Sequence, residues 1–289
     1  PPRSTPKPSS AASDVYKRQT DGDTIYVYNG TYCENVVINK PIKLMAKDKD
    51  TTIIDGGGKG SVIKITADRV TISGFTIQNS KNSSTSAGVY INSDDNTITG
   101  NIIVRNKGSG IYITSSSNNV ISGNVITKNY YDGIHLESSP YTTITENIIS
   151  NHSYTVYQSV GVPLSHGVYL KESSHTTVSD NTFINNINYD AMFILSSYLM
   201  VTGNTFSNSS GILLSGGLLH WITHTIENNY IDNKPIYYYK NKNGITVPSD
   251  AAEVILANCQ NFKIQNLSIS GGDVAILLGF SSNNIISNN

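Results

Sequence analysis

Charge is scarce in this chain. Asp, Glu, Lys and Arg make up 14% of the 289 residues, and the formal net charge is −1. An ordinary soluble domain carries roughly a quarter charged residues. This balance gives no electrostatic case for nucleic acid or an anionic membrane as a partner. Cysteine is nearly absent: Cys33 and Cys259 are the two present, far apart in the chain, and no CxxC pair exists. That removes the usual thiolate metal sites. The three methionines, Met45, Met192 and Met200, form no cluster that a soft metal ion would select. No apolar run approaches the length of a membrane span. No stretch holds a sustained helical period with caps at its ends.

Ile, Val, Thr, Tyr, Asn, Ser and Gly fill the space instead, and they do so periodically. Over residues 96–214 an apolar residue is followed three positions later by Asn and two further on by another apolar residue. The leading column is Ile98, Ile121, Ile144, Val178 and Val201. The Asn column is Asn101, Asn124, Asn147, Asn181 and Asn204, and the third is Ile103, Ile126, Ile149, Phe183 and Phe206. All three step by 23, 23, 34 and 23 residues. Short alternations such as Gly110-Ile111-Tyr112-Ile113-Thr114 put successive side chains on opposite faces. A propeller blade needs roughly 40–45 residues, so this shorter period suits three short strands and three turns. The fold class predicted is all-β: a single-stranded right-handed parallel β-helix of about ten coils, each resting on its neighbours. Stacked Ile columns form its core, and the Asn column forms an amide ladder at a turn. A looser Asn column follows at Asn106, Asn129 and Asn186.

Taken in order, residues 1–19 read as foreign: Ser9 to Gln19 resembles the translation of a sequencing adaptor, and the segment is expected to be non-native and disordered. The solenoid is expected over 20–289, truncated at both ends. It carries an insertion near 152–166, which the 34-residue step reveals, and a longer excursion near 234–253, with regular coils resuming at Ile264 and Ile269.

The run Gly22-Asp23-Thr24-Ile25-Tyr26-Val27, then Gly30-Thr31-Tyr32, then Thr52-Ile53-Ile54-Asp55-Gly56 resembles the opening of parallel β-helix proteins of the NosD type. Lys234-Pro235-Ile236-Tyr237-Tyr238 with Glu253 to Leu256 and Asn258-Cys259 resembles a second hallmark of that group, common in archaeal surface proteins. The resemblance spans 20–289. It implies a periplasmic, cell-surface or extracellular location, a carbohydrate-binding or structural role, and copper as a cofactor by family alone. The chain is expected to be a monomer when natively capped.

Two outward columns carry candidate chemistry. Tyr90, Tyr112, His135, Tyr169 and Phe193 align as rings that could receive sugar faces or simply brace the sheet. Met192 then falls inward. One position before the strand glycine, Asp132, His166 and Asp190 align, with His135 and His152 nearby. These five residues would form a metal site, an acid/base pair or a hydrogen-bonded turn column. Tyr131-Asp132 with His135 resembles part of the Tyr/Asp/His site of alginate epimerases, and Ser165-His166-Gly167 resembles part of the polygalacturonase signature. The latter's paired Asp motifs and Arg-x-Lys are missing, and acids are too few for an obvious glycosidase pair. The reading is of a non-catalytic module that binds carbohydrate. A metal-handling protein and a polysaccharide lyase or epimerase are the alternatives.

Overall fold

A computed structural model describes residues 20–152, 165–186, 188–268 and 274–289. The segment read as an adaptor, most of the insertion, and Ile269 lie outside the described residues. The rest is a right-handed parallel β-solenoid of about eleven turns. One short helical turn, Leu219–Ile222, is the helix among the described residues.

Each coil contributes a strand to each of three sheets. In one coil these are Thr97–Thr99, Ile102–Val104 and Ser109–Thr114. The first sheet has nine strands, the second twelve and the third eight. The register follows the repeat: Ile98 pairs with Ile121, Ile121 with Ile144, Ile144 with Val178 and Val178 with Val201. Ile103, Ile126, Ile149, Phe183 and Phe206 pair in the same way and are 1% exposed or less. Burying each of these side chains contributes about 1.5–3 kcal/mol.

The corners explain why Asn recurs. The residue before each ladder Asn takes a left-handed φ: Gly100 at 65°, Gly123 at 62°, Glu146 at 57°, Asp180 at 56° and Gly203 at 69°. This turns the chain and leaves the next amide pointing inward. There Asn101 Nδ2 donates to Asn124 Oδ1 at 3.1 Å, and Asn124 Nδ2 donates to Asn147 Oδ1 at 3.0 Å. The ladder runs through Asn181 and Asn204 to Asn229. The second corner repeats the device, with Arg105, Lys128, Asn151 and Asn185 at positive φ. Its inward column is Asn106, Asn129, His152 and Asn186. The four strand glycines beside it have no room for a Cβ. One added to Gly110 would meet Asn129 Nδ2 at 2.9 Å, and one added to Gly133 would meet His152 Nε2 at 2.6 Å.

The repeat does not continue uniformly to the end. Asp232 and Asn233, at φ 46° and 65°, make a two-residue turn that folds Lys234–Lys240 back antiparallel on Tyr230–Ile231. Two consecutive left-handed residues are what a tight hairpin requires. Glu253–Ala257 and Ile276–Gly279 then pair parallel to the reversed strand. Glu253–Ala257, in the middle, is buried on both faces. Ile236, Ile255 and Ala257 join the main core, while Val254 and Leu256 join a second one with Val247, Cys259, Phe262 and Ile264. The sequence predicts an excursion over 234–253 with coils resuming at Ile264; it does not show that the chain reverses direction there.

Candidate functional site

The third sheet carries the chemistry on its outer face. Its outward column runs Lys64, Tyr90, Tyr112, His135, Tyr169 and Met192, each paired in register with the next. Tyr90 and Tyr112 stack at 5.7 Å between ring centroids, Tyr112 and His135 at 4.6 Å, and His135 and Tyr169 at 4.7 Å. The rings therefore cover one another's faces; Tyr90, His135 and Tyr169 keep partly exposed edges, whereas Tyr112 is buried, 8% exposed, with its hydroxyl on Glu137. A sugar cannot lie flat on the inner rings, so the column presents polar edges rather than a row of open platforms.

Phe193 does not belong to this column. It pairs with Leu170, is 1% exposed and sits in the core, while Met192 points outward. The expected alignment slipped by one because this coil has no strand glycine. Asp190 itself occupies the glycine column, between Gly167 and Gly211, and Ala191 pairs with Val168. Tyr189 therefore takes the place expected of Asp190.

Beneath the rings lies a buried carboxylate. Asp132 and His166 share the column before the glycine and are 2% and 1% exposed. Asp132 Oδ1 accepts from the His166 backbone N–H and from His166 Nδ1, both at 2.8 Å. Asp132 Oδ2 accepts from His135 Nδ1 at 2.7 Å. Burial alone would push this carboxyl up. The hydrogen bonds from both imidazoles, with their attraction, outweigh it and hold the group well below the ordinary carboxylate range. The His135 side chain is 16% exposed. With Nδ1 turned onto Asp132, Nε2 is the ring nitrogen left to meet a ligand.

Two positions further along the same strands is a second outward row that sequence reading missed. Glu137 Oε1 accepts from Lys171 Nζ at 2.7 Å, and Glu137 Oε2 accepts from the Tyr112 hydroxyl at 2.9 Å. The Lys171 hydrogen bond, then that of Tyr112, lowers the Glu137 carboxyl despite its burial. Burial, then the Glu137 bond, raises the Tyr112 phenol far above its ordinary value. Tyr169 is raised by burial and by the Asp132 charge. The signal was present: Glu137 and Lys171 alternate with His135 and Tyr169 on period-2 strands. A further ring stack, Tyr141, His175 and Tyr198 at 4.9 Å spacings, lines an exposed corner.

The expected metal set does not assemble. His152 lies inside the second corner, where its Nδ1 accepts from the Asn129 N–H at 3.3 Å. Burial lowers it to about 4 and keeps it neutral. Asp190 is fully buried and accepts from Asn186 Nδ2 at 2.7 Å. His135 and His166 both turn Nδ1 onto Asp132, so these nitrogens are engaged. Among the described residues no three His, Cys, Asp or Glu side chains are grouped to hold a metal ion. The residues present do not fit copper.

Fold and face together define a β-helix with a polar, ring-lined sheet surface. The chain belongs to the right-handed β-helix region family, whose model matches residues 61–260. No curated protein matches it. Among solved structures it is similar to the Dettilon tailspike protein, at 15% identity and a TM-score of 0.58 over 95% of this chain. It spans 56% of that tailspike. It is also similar to a DFA-IIIase from Arthrobacter chlorophenolicus A6, at 13% identity and a TM-score of 0.59, covering 96% of this chain and 89% of the other. A PL6-family polysaccharide lyase from Pseudopedobacter saltans matches at 15% identity and a TM-score of 0.56, covering 96% and 82%. At such identities the likeness is one of fold. No helix of the described residues is long and apolar enough to cross a membrane.

Proposed function

We propose that this protein recognises carbohydrate on the outer face of its third sheet. The observation that carries the reading is the continuous column Tyr90, Tyr112, His135, Tyr169, flanked by Glu137 and Lys171. Phenol, imidazole, carboxylate and ammonium edges recur once per coil, about 4.8 Å apart. That repeat is close to the length of one sugar unit in an extended glycan, so successive hydroxyls find successive donors and acceptors. The ring stack also braces the sheet, which keeps those edges in fixed positions. Binding without turnover is the first reading. The opening residues that resemble the NosD type support placing the protein outside the cytoplasm, at a cell surface or in a periplasm.

A glycan array tests this. Wild-type protein is expected to retain a defined glycan set, and His135→Ala combined with Tyr169→Phe is expected to lose it while still unfolding in one cooperative transition, at a lower temperature because Asp132 loses its His135 partner. Silence on every glycan overturns the reading.

A second reading is acid–base catalysis on the bound glycan, as in a lyase or epimerase. It is favoured by one observation, the buried Asp132 carboxylate that orients His135 and leaves Nε2 as a proton acceptor. Incubation with uronate polymers, followed by ultraviolet absorbance for unsaturated products and by NMR for epimerised units, decides between the two. Turnover lost in His135→Gln with binding retained establishes the second.

A further inference from the structure

The ring column ends at a concavity that sequence reading did not single out. Its volume is about 360 Å³, and Asn35, Val37, Ser61, Lys64, Thr85 and Tyr90 line it. That lies within the range of about 300–1,000 Å³ usual for small-ligand sites. Three features of it bear on a ligand.

Lys64 is the first. Among the described residues no carboxylate lies within ion-pair distance of it, whereas Lys171 on the same face is held by Glu137 at 2.7 Å. Lys64 is thus the cation of this face that a ligand can neutralise without breaking an existing pair.

The second is Tyr90. One of its ring faces stacks on Tyr112, and the other turns toward Lys64, whose Nζ stands 5.7 Å from the ring centroid. Lys64 covers that face, so Tyr90 offers its ring edge and hydroxyl to a ligand, and exposed Val37 follows on the far side of Lys64 along the column.

The third is the polar rim. Asn35 Nδ2 donates to the Ser61 carbonyl at 2.9 Å, which leaves Oδ1 to accept. Ser61 Oγ accepts from the Ala87 N–H at 3.1 Å, which leaves its hydroxyl proton to donate. The rim offers both senses of hydrogen bond to ring hydroxyls.

From these features we infer that the concavity is a subsite for an anionic sugar unit, carboxylated or sulfated, at one end of a glycan laid along the third sheet. Lys64 takes the acidic group, exposed Val37 meets the apolar face of the ring, and the Tyr90 hydroxyl, Asn35 and Ser61 take hydroxyls. From Lys64 to Tyr169 is four rungs, about 19 Å, so a tetrasaccharide reaches both. The inference rests on the reading of the outer face as a glycan surface and names its substrate class.

Calorimetry of the intact protein tests it with three probes: tetragalacturonate, its uncharged methyl ester, and a sulfated galactan tetrasaccharide. At least one anionic probe is expected to bind about tenfold or more tighter than the ester, with the preference falling as salt rises. Whichever of the two is preferred identifies the acidic group. Lys64→Ala is expected to erase the preference and Lys64→Arg to keep it. Lys64 is exposed, so neither should change the melting profile. Equal binding of charged and uncharged probes, or a preference that survives Lys64→Ala, overturns the subsite and leaves the glycan face standing. No binding by any probe overturns the subsite, and the glycan array then decides separately whether the glycan face stands.

Discussion

Replacing Asn124 by Asp changes one atom of the amide ladder and should reverse its electrostatics. Asn124 Nδ2 donates to the Ile98 carbonyl at 2.8 Å, the Ser122 carbonyl at 3.1 Å and Asn147 Oδ1 at 3.0 Å. Its Oδ1 accepts from the Asn101 N–H at 2.9 Å and from Asn101 Nδ2 at 3.1 Å. An aspartate keeps the second pair but drives a carboxylate oxygen into three acceptors at a site that is 1% exposed. An uncompensated buried charge of this kind costs about 3–5 kcal/mol. Protonation supplies one donor and removes most of that cost, so the folded-state pKa must rise above the unfolded value of about 3.9. The penalty is then absent below that value and grows as pH rises toward the raised folded pKa. Asn124→Ala, by contrast, should lose about 2–4 kcal/mol at every pH, since it strands the Asn101 N–H and the Ile98 carbonyl. Urea midpoints followed by circular dichroism from pH 4 to pH 8 separate the two variants. An Asp variant as stable as wild type at pH 7, or one that improves as pH rises, would refute the ladder argument.

Three further outcomes are expected. His152 is neutral inside the second corner, about 4 against an ordinary 6.5, so folding loses stability as pH falls through that interval. His152→Asn should restore the local pattern, removing up to about 3 kcal/mol of that acid sensitivity as read by melting temperature between pH 7 and pH 4. Asp132→Asn should destabilise the protein above pH 4. Because the native carboxyl is held low, the gap between wild type and variant should narrow as pH falls below the unfolded value toward the depressed folded one. Ile103→Ala, at a fully buried position, should cost about 2–5 kcal/mol, whereas Ile148→Ala on the exposed side of the next strand but one should fall within about 0.5 kcal/mol. Denaturation midpoints check both, and equal losses would contradict the assigned facing of the strands.

Much of the core could be read in advance because stacking is periodic. A strand residue that pairs with its copy one coil away must share its facing, so the spacing of Ile98, Asn101 and Ile103 already assigns three columns. His152 was legible by the same arithmetic. It falls 23 residues after Asn129 and 34 before Asn186, yet its side-chain type drew it into the metal set. Sites were harder to read than columns. Phe193 and Asp190 were misplaced by one position because a coil without a strand glycine offers no local mark of register, and a slip of one residue exchanges the two faces of a strand.

The sequence by itself determined the coil, its three columns and the outward run of Tyr90, Tyr112, His135 and Tyr169, because these depend on contacts between equivalent positions at a constant step. Only the tertiary structure decided how those rings face, which imidazoles share the Asp132 carboxylate, and that the chain reverses at Asp232 and Asn233. Ring tilt, hydrogen-bond sharing and a change of strand direction depend on distances between unlike residues. A linear period contains no information about those distances.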